Sequence, residues 1–461
     1  MIYEGDEFMK LSKMGIARNK VLNIDAQFPV QDILSKTGQL TQYSSGIYAY
    51  DNIPFLLKNN IKRIISEELT KAGCVEVSLP VLQPESIWEA SGRLDKYVSD
   101  DVMFRTITSK GNYCLAPTAE EAIVEFAKNR LQSYKSLPVT YFQIGEKFRN
   151  ELRARGFLLR GKSFEMMDAY SFNVNSDDLD KTYAEMKQAY FNIFNRLGMN
   201  VFPVGADSGS IGGKKSEEFM VISDLGEDTV LYNNESGQAI NSELLELSNA
   251  MEYLKEIYNI DGIEQLEKKR TLELGHIFQL GTKYSESMGA CYISESGKQI
   301  PYEMGCYGIG VSRVLAYVYE KNAIYDKNQN VIGYSLPLNL APYHLHMITN
   351  DNKDSIDLAD NLYNELIKNG VSLLYDDRND LSLGAKIKDA HYMGTPYLLI
   401  LGNKVDDKYF EIENTKTNEK ISIDRKDFVN ILKTLSVQLK IDESITLENL
   451  VKDEIKVLKK I

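Results

Sequence analysis

The sequence predicts two folded parts. Residues 1–340 should form an α+β domain with helices on a mixed, mainly antiparallel sheet, and residues 341–435 a smaller α/β domain. Three observations carry this. Up to about residue 336, strand-like and helix-like stretches follow one another in mixed order. From Pro342 onward strand and helix alternate, as in small layered α/β domains. Between them, Pro337 and Pro342 bracket a stretch that interrupts both patterns, which places the boundary at 336–342.

Length allows this. At roughly 150 residues per domain, 461 residues and 52.3 kDa suit about three domains. With 43% hydrophobic and 26% charged residues, the composition is that of a folded globular chain, which excludes disorder as the main state. No run approaches the roughly 18 apolar residues of a membrane span. The acidic start, Met1-Ile2-Tyr3-Glu4-Gly5-Asp6-Glu7, has no apolar stretch, so a secretory signal is not expected and the cytoplasm is the default compartment.

Taken in order, residues 54–72 carry apolar side chains at helical spacing and stop before Gly73. Residues 74–80 alternate as a strand closed by Pro80. A helix over 119–131 opens just after Pro117-Thr118, a capping pair. Residues 139–148 and 163–172 predict partner strands joined by an arginine-rich loop. Residues 177–197 predict a long amphipathic helix, while 219–232 and 277–293 look strand-like. Residues 243–269 read as one charged helical segment. From 308 to 319 a glycine-rich strand end passes into a helix. In the second part, strands are expected at 344–349, 371–375 and 397–401, and helices at 354–369 and 385–393. Residues 436–461 form a charged helical tail with no evident chemistry.

Cys74, Cys114, Cys291 and Cys306 are scattered and form no CxxC, and of His276, His344, His346 and His391 none has a nearby cysteine partner. A structural zinc site or disulfide framework has no support. The net charge of −13 argues against indiscriminate nucleic-acid binding. One stretch differs: Lys147, Arg149, Arg153, Arg155, Arg160 and Lys162 face a single acid, Glu151, so a polyanion could dock there.

Phe148-Arg149-Asn150-Glu151 sits where the first of the paired strands ends, and an arginine on a rigid strand offers a planar fork to phosphate or carboxylate. By itself the tetrapeptide also fits a solvated charged hairpin. In Gly305-Cys306-Tyr307-Gly308-Ile309-Gly310-Val311-Ser312-Arg313, glycines permit close backbone approach and Arg313 opens a helix; alone, this fits a simple strand-to-helix turn.

Together and in this order the two segments resemble motifs 2 and 3 of the class II aminoacyl-tRNA synthetases, with residues 54–80 as motif 1 and Pro80 as its terminal proline. The resemblance sharpens to the bacterial-type prolyl-tRNA synthetases. It does so through Ala116-Pro117-Thr118-Ala119-Glu120-Glu121, Met167-Asp168-Ala169-Tyr170-Ser171-Phe172 and Ser208-Gly209-Ser210-Ile211-Gly212-Gly213. Gly275-His276-Ile277-Phe278-Gln279-Leu280-Gly281-Thr282-Lys283-Tyr284-Ser285 and Met304-Gly305-Cys306 complete the set. Asp376-Asp377-Arg378 and Gly394-Thr395-Pro396 resemble the anticodon-binding module of that family. The match runs collinearly over roughly residues 10–435.

The resemblance implies a two-step reaction, proline with ATP to prolyl-adenylate and then transfer to the 3′ end of tRNA(Pro), run by positioning and charge neutralisation. It implies catalytic roles for Arg149 and Arg313. For ATP it implies Arg149, Glu151, Arg160, Phe164, Gln279, Thr282, Gly308, Gly310 and Arg313, with Mg2+ bridging the phosphates and no metal ion held by the protein alone. For proline it implies Thr118, Glu120, Arg149, His276 and Cys306; for tRNA, Arg153 and Arg155. A plainer reading of Thr118 and Glu120 is a helix cap with a first-turn acid, and of His276 and Cys306 a satisfied core pair. A homodimer is also implied.

Three departures from the family stand out. Between Asn241 and Thr271 only about thirty residues stand where many relatives carry an inserted editing domain, too few for an independent core. No editing in cis is expected, and a separate deacylase acting on Ala-tRNA(Pro) is the implied partner. Ser163 and Met167 replace a Glu and a Lys in motif 2, which reads as a charge pair removed together. Asp51-Asn52-Ile53-Pro54-Phe55 lacks the usual Gly and Arg in a region used for dimer contacts. Threonyl relatives need a Cys/His zinc site, absent here. The alternative from another class is a synthetase-like paralogue that senses amino acids or activates proline for another acceptor. Such paralogues commonly lose the phosphate-binding arginines, which this chain keeps.

Overall fold

The computed structural model describes residues 10–15, 28–152, 154, 156–206, 209, 211–213, 215–233, 239–246, 249–260, 262–263, 266–402 and 406–458. The chain divides into two compact units, Gln42–Tyr48 with Ile61–Ala316, and Met1–Thr41 with Ala49–Asn60 and Tyr317–Ile461.

The larger unit is built on a nine-stranded sheet. Its strands in chain order are β1 (Val75–Glu76), β2 (Val139–Phe148), β3 (Ser163–Asn173), β4 (Phe202–Gly205) and β5 (Lys215–Ile222), then β6 (Asp228–Tyr232), β7 (Ala239–Asn241), β8 (Glu267–Gly281) and β9 (Glu303–Gly310). Across the sheet they lie β5-β4-β7-β6-β8-β9-β3-β2-β1, and β5 also pairs with β8. Of these pairings, β1–β2 and β4–β7 run parallel and the rest antiparallel, so the mixed, mainly antiparallel sheet is as expected.

The helices follow from their apolar spacing and end signals. In α1 (Asn52–Lys71) a stripe of Ile53, Leu57, Ile61, Ile64, Ile65 and Leu69 is buried, and left-handed Gly73 follows its end. The short α2 (Glu120–Lys128) buries Ile123 and Val124. In α3 (Ser176–Arg196) the Asn175 side chain accepts from the Asp178 amide, acids fill the first turn and Arg196 the last. Its Tyr183, Met186, Tyr190 and Ile193 are buried, and Tyr190 lies against Gly275 of β8.

Several expected elements differ. The strand expected over 74–80 shrinks to two residues because the chain turns from the ladder to a side chain: Leu79 donates to Gln143 Oε1 at 3.0 Å. The single helical segment expected over 243–269 is instead a 3-10 turn (Ser242–Glu246) and a helix (Ala250–Tyr258) ended by left-handed Asn259. Residues 267–269 then belong to β8, where they pair with β6. The stretch 277–293 is broken at left-handed Gly281 by a helix, Lys283–Ser287, before a strand at Cys291–Ile293.

The smaller unit holds β10 (Leu345–Thr349), β11 (Leu373–Asp376), β12 (Tyr397–Leu401), β13 (Tyr409–Asn414) and β14 (Lys420–Asp424), in the order β11-β10-β12-β13-β14. The first three run parallel and β13 and β14 close the sheet antiparallel, two strands the sequence had not disclosed. Helices α4 (Lys353–Lys368), α5 (Leu383–Met393) and α6 (Arg425–Gln438) join them. The charged tail has a structural part to play: Leu447 and Leu450 of its helix (Leu447–Leu458) enter the same core as Leu345 and Leu399, and Tyr397 donates to Glu448 at 2.8 Å.

Two outcomes follow. A methyl group at Gly275 would lie 2.9 Å from the Tyr190 ring and 3.0 Å from the Gly308 carbonyl oxygen. Gly275→Ala is therefore expected to cost about 1–3 kcal/mol in denaturant unfolding, the range for overpacking a filled core. His346, fully buried with neither ring nitrogen hydrogen-bonded among the described residues, is pushed down to about 4 by burial, with Arg378 and His391 adding to it against Asp376. The unfolded ring binds its proton near the ordinary value of about 6.5, so the neutral folded ring stabilises fully above that pH and loses the contribution as pH falls toward 4. Urea midpoints should fall more steeply between pH 7 and pH 4 for the native chain than for His346→Leu, by up to about 3 kcal/mol.

Candidate active site

The site starts from side-chain alternation on β3. Phe164, Met166, Asp168 and Tyr170 are two residues apart, so they share a face, and all four line one cleft in the larger unit. The intervening Met167 is fully buried between Ile144 and Ile309 in register. Apolar packing accounts for methionine there. Ser163 lies about 13 Å further along the same strand face, four residues at roughly 3.3 Å each. The residue between them, Glu165, pairs with Lys62 at 3.1 Å. A charge pair at 163 and 167 would have had to span that distance along the strand.

Asp168 is the buried centre of a network. Lys147 Nζ, itself 2% exposed, sits 2.6 Å from it, Gln143 donates to it at 2.9 Å and Tyr170 at 3.0 Å. The Ala119 amide in turn donates to the Tyr170 hydroxyl at 3.1 Å, tying the segment before α2 to β3. Thr118 does not cap that helix: its cap position is Ala119, and the Thr118 hydroxyl donates to Glu120 Oε2 at 2.6 Å. The cap reading of Thr118 is overturned, because both side chains are buried and turned to one another at the cleft. Arg93 reaches the same carboxylate at 3.2 Å, a partner sequence spacing did not disclose.

At the end of β2, Arg149 is held by its Nε donating to the Pro117 carbonyl at 3.1 Å, with its guanidinium 5.2 Å from the Phe164 ring centre. Glu151 lines the cleft beside it. Arg160, after a 3-10 turn at Phe157–Leu159, pairs with Glu227. Arg313, in the helix Val311–Lys321, lies 2.6 Å from Glu273 and donates to the Leu159 carbonyl at 3.0 Å. Gly308 and Gly310 of β9 line the wall, and Gly308 stands opposite His276 and Asp168 in the ladders.

Carboxylates crowd the Arg313 side. Burial works to raise Glu273, but Arg313 and His276 outweigh it and hold it far below the usual carboxylate range. Glu218 is pushed up to about 9 by burial and by the charge on Glu273, and Asp228 to about 6 by the same two causes. His276 Nδ1 is 3.3 Å from Glu273 and 3.7 Å from Glu218, its ring stacks on Phe278 at 3.8 Å, and its Nε2 is buried with no hydrogen-bond partner among the described residues. The expectation of a satisfied core histidine fails at that nitrogen. Ligand atoms of Glu218, Glu273 and His276 all lie within 4.8 Å of one another. Cys306 is buried against Glu120, and burial pushes its thiol far up, so it is an uncharged wall.

The cleft thus collects Thr118, Glu120, Arg149, Glu151, Arg160, Phe164, His276, Cys306, Gly308, Gly310 and Arg313. Gln279 and Thr282 are not in its lining: Gln279 donates to Asp180 at 2.6 Å in an exposed pair, and Thr282 precedes the helix Lys283–Ser287 without a side-chain cap bond. Arg153 and Arg155 lie outside the described residues, as do Ser208 and Ser210. Asp168, Met166 and Tyr170 were missed as site residues although the two-residue spacing from Phe164 marks them; Glu273 and Arg93 had no local signal.

Comparison with known proteins identifies the family of the fold that carries this cleft. Residues 104–322 match the tRNA synthetase class II core domain (G, H, P, S and T), and residues 345–435 the anticodon binding domain. The proline–tRNA ligase of Rickettsia bellii is 34% identical over 425 residues, covering 90% of this chain and 96% of that protein. That of Sulfurimonas denitrificans is 36% identical over 431 residues, covering 90% and 97%. That of Staphylococcus saprophyticus is 30% identical over an alignment of 571 positions, covering 93% and 99%. The fold is shared with the Giardia lamblia prolyl-tRNA synthetase solved with prolyl-adenylate, at a TM-score of 0.68 and 18% identity over 88% of this chain and 74% of that one. Identity above 30% along nine-tenths of the sequence, over a class II core and an anticodon-binding module, means that the chain belongs to the proline–tRNA ligase family of class II synthetases.

Proposed function

We propose that this chain activates proline with ATP and transfers it to tRNA(Pro). In the first step a proline carboxylate oxygen attacks the α-phosphorus and pyrophosphate leaves. In the second, the terminal ribose hydroxyl of the tRNA attacks the prolyl carbonyl and AMP leaves. The observation that carries this is one cleft that gathers three arginines, an aromatic face and a buried carboxylate from separated stretches of chain.

Arg149, fixed by Pro117 and Phe164, is placed to hold the α-phosphate beside the attacking carboxylate. Phe164 offers a stacking face for adenine and Glu151 an acceptor for its amino group. Arg313 and Arg160 take the outer phosphates, each exchanging a carboxylate, Glu273 or Glu227, for the incoming charge. Thr118 and Glu120 receive the proline nitrogen, and the uncharged Cys306 thiol and the His276 ring bound the proline ring. None of these groups needs to act as a nucleophile; the acceleration comes from orientation and preset charge.

Mg2+ suits the oxygen donors here: Glu218 and Glu273 would hold it, its charge favouring their ionised forms. When bound it neutralises phosphate charge. The anticodon-binding match over 345–435 supports tRNA as acceptor, with Arg153 and Arg155 as acceptor-stem contacts. The absence of editing in cis is supported by alignments with the Staphylococcus relatives that span 571 positions, more than the 461 residues here. Those relatives carry inserted residues with no counterpart in this chain.

Amino-acid-dependent exchange of pyrophosphate into ATP, run across all twenty amino acids, tests the activation step. Proline should support it and alanine more weakly, since a pocket separates side chains differing by methylenes by only about 1–3 kcal/mol. Arg149→Ala should lower both by about 100-fold or more, the scale for removing one preset charge stabiliser. Exchange with no amino acid would instead favour the sensor paralogue. Given Ala-tRNA(Pro), the purified chain should release alanine no faster than buffer does; enzymatic release would overturn the editing assignment.

A further inference from the structure

Arg93 stands just ahead of a short helix (Leu94–Ser99), distant in sequence from every motif, yet its guanidinium meets Glu120, which lines the cleft. It is 5% exposed. One nitrogen, Nη1, lies 3.2 Å from Glu120 Oε2 and 3.2 Å from Glu121 Oε1, while Nη2 donates to the Tyr97 hydroxyl. Rings of Tyr97, Trp88 and Tyr284 surround it, with centres 4.7, 5.2 and 5.2 Å from the guanidinium carbon. Trp88 is itself anchored by donating to Gln83 at 2.9 Å. An arginine so enclosed has one orientation available, and cation–π contact compensates part of the cost of burying it.

Two adjacent buried carboxylates share this single cation. Glu121 is fully buried, accepts from Ser91 at 2.7 Å, and is pushed up to about 7 by burial and by Glu120, against Arg93. Glu120 is 2% exposed and faces the cleft, where Thr118 donates to the same oxygen that Arg93 meets. The other groups facing Glu120 are Lys283 and Tyr284 from the Lys283–Ser287 helix, Tyr170 on β3 and Cys306 on β9. None of the described contacts brings a second cation into hydrogen-bond distance of Glu120.

We infer that Arg93 is a positioning residue for proline binding: caged by Trp88, Tyr97 and Tyr284, it orients the Glu120 carboxylate toward the amino-acid nitrogen, and Glu121 competes for it. This rests on Glu120 receiving that nitrogen, as proposed above. Arg93 touches neither substrate nor reacting atoms, so its loss acts on proline and not on ATP.

The test is pyrophosphate exchange with proline and ATP varied separately. Arg93→Gln is the direct variant; Arg93→Lys keeps a cation among the rings, and so a fold, but lacks the planar guanidinium whose Nη1 meets both carboxylates while Nη2 is fixed by Tyr97. Each should raise KM for proline by about tenfold or more, the scale for one hydrogen bond to a charged group, with KM for ATP within about twofold. Adding Glu121→Gln to Arg93→Lys should recover most of the loss, because the ammonium then serves Glu120 alone. A merely structural role predicts instead that the second substitution adds to the damage. An unchanged KM for proline in folded Arg93→Lys, a parallel rise in KM for ATP, or no recovery in the double variant overturns the inference. If the native chain exchanges with no amino acid, both this inference and the function beneath it fall; if it exchanges normally with proline, only the Arg93 results decide.

Discussion

The cleft depends on the register of β3 between β2 and β9. Ladders run unbroken on both sides, from Phe148↔Ser163 to Val139↔Phe172 and from Gly310↔Met166 to Glu303↔Asn173. A slip of one residue would turn Phe164, Asp168 and Tyr170 away from the cleft and put Met167 into it. Lys147, opposite Phe164 on β2, reaches Asp168 only in the observed register. Misregistry would leave buried charges without partners, at a cost on the order of 3–5 kcal/mol. The same register brings Gly308 opposite Asp168 and, through β8, opposite His276, so the floor of the site is assembled by ladder geometry.

Charge in the cleft is arranged by pairing. In a chain of net charge −13, each cleft arginine has an oxygen partner: Pro117 for Arg149, Glu227 for Arg160, Glu273 for Arg313 and Glu120 for Arg93. Burying a guanidinium alone would be prohibitive, so pairing is what allows it to wait there. An anion arriving at Arg313 therefore exchanges with Glu273 instead of adding to an empty cation. That exchange limits the affinity gained per contact but favours ligands with enough charge to displace a carboxylate, which suits a polyphosphate better than a lone carboxylate.

Much of the frame was legible. Alternation over 139–148 and 163–172 reproduces β2 and β3 within a residue, since a half-buried strand writes its period of two directly into the sequence. Helix α3 was legible from its apolar spacing. The failures are specific. Residues 243–269 look helical by charge and length, but pairing with β6 drew the last of them into a strand. Strands β13 and β14 bury only two apolar residues each, Phe410 and Ile412, Ile421 and Ile423, an alternation too short to stand out from the polar stretch around it. The tail looked solvated because its two anchoring leucines are few among charges.

By itself, the sequence determined the order of strands and helices, the change of pattern near residue 340, and the arginine, glycine and acid positions that mark a class II synthetase. Only the tertiary structure decided which of those side chains meet. Arg93 finds Glu120 across 27 residues and Arg313 finds Glu273 across 40, while Gln279, inside a recognisable motif, pairs with Asp180 away from the cleft. The reason is physical. Periodicity is a local property of the backbone, whereas desolvation and ion pairing depend on what lies within a few ångströms, and strand order in the sheet sets that.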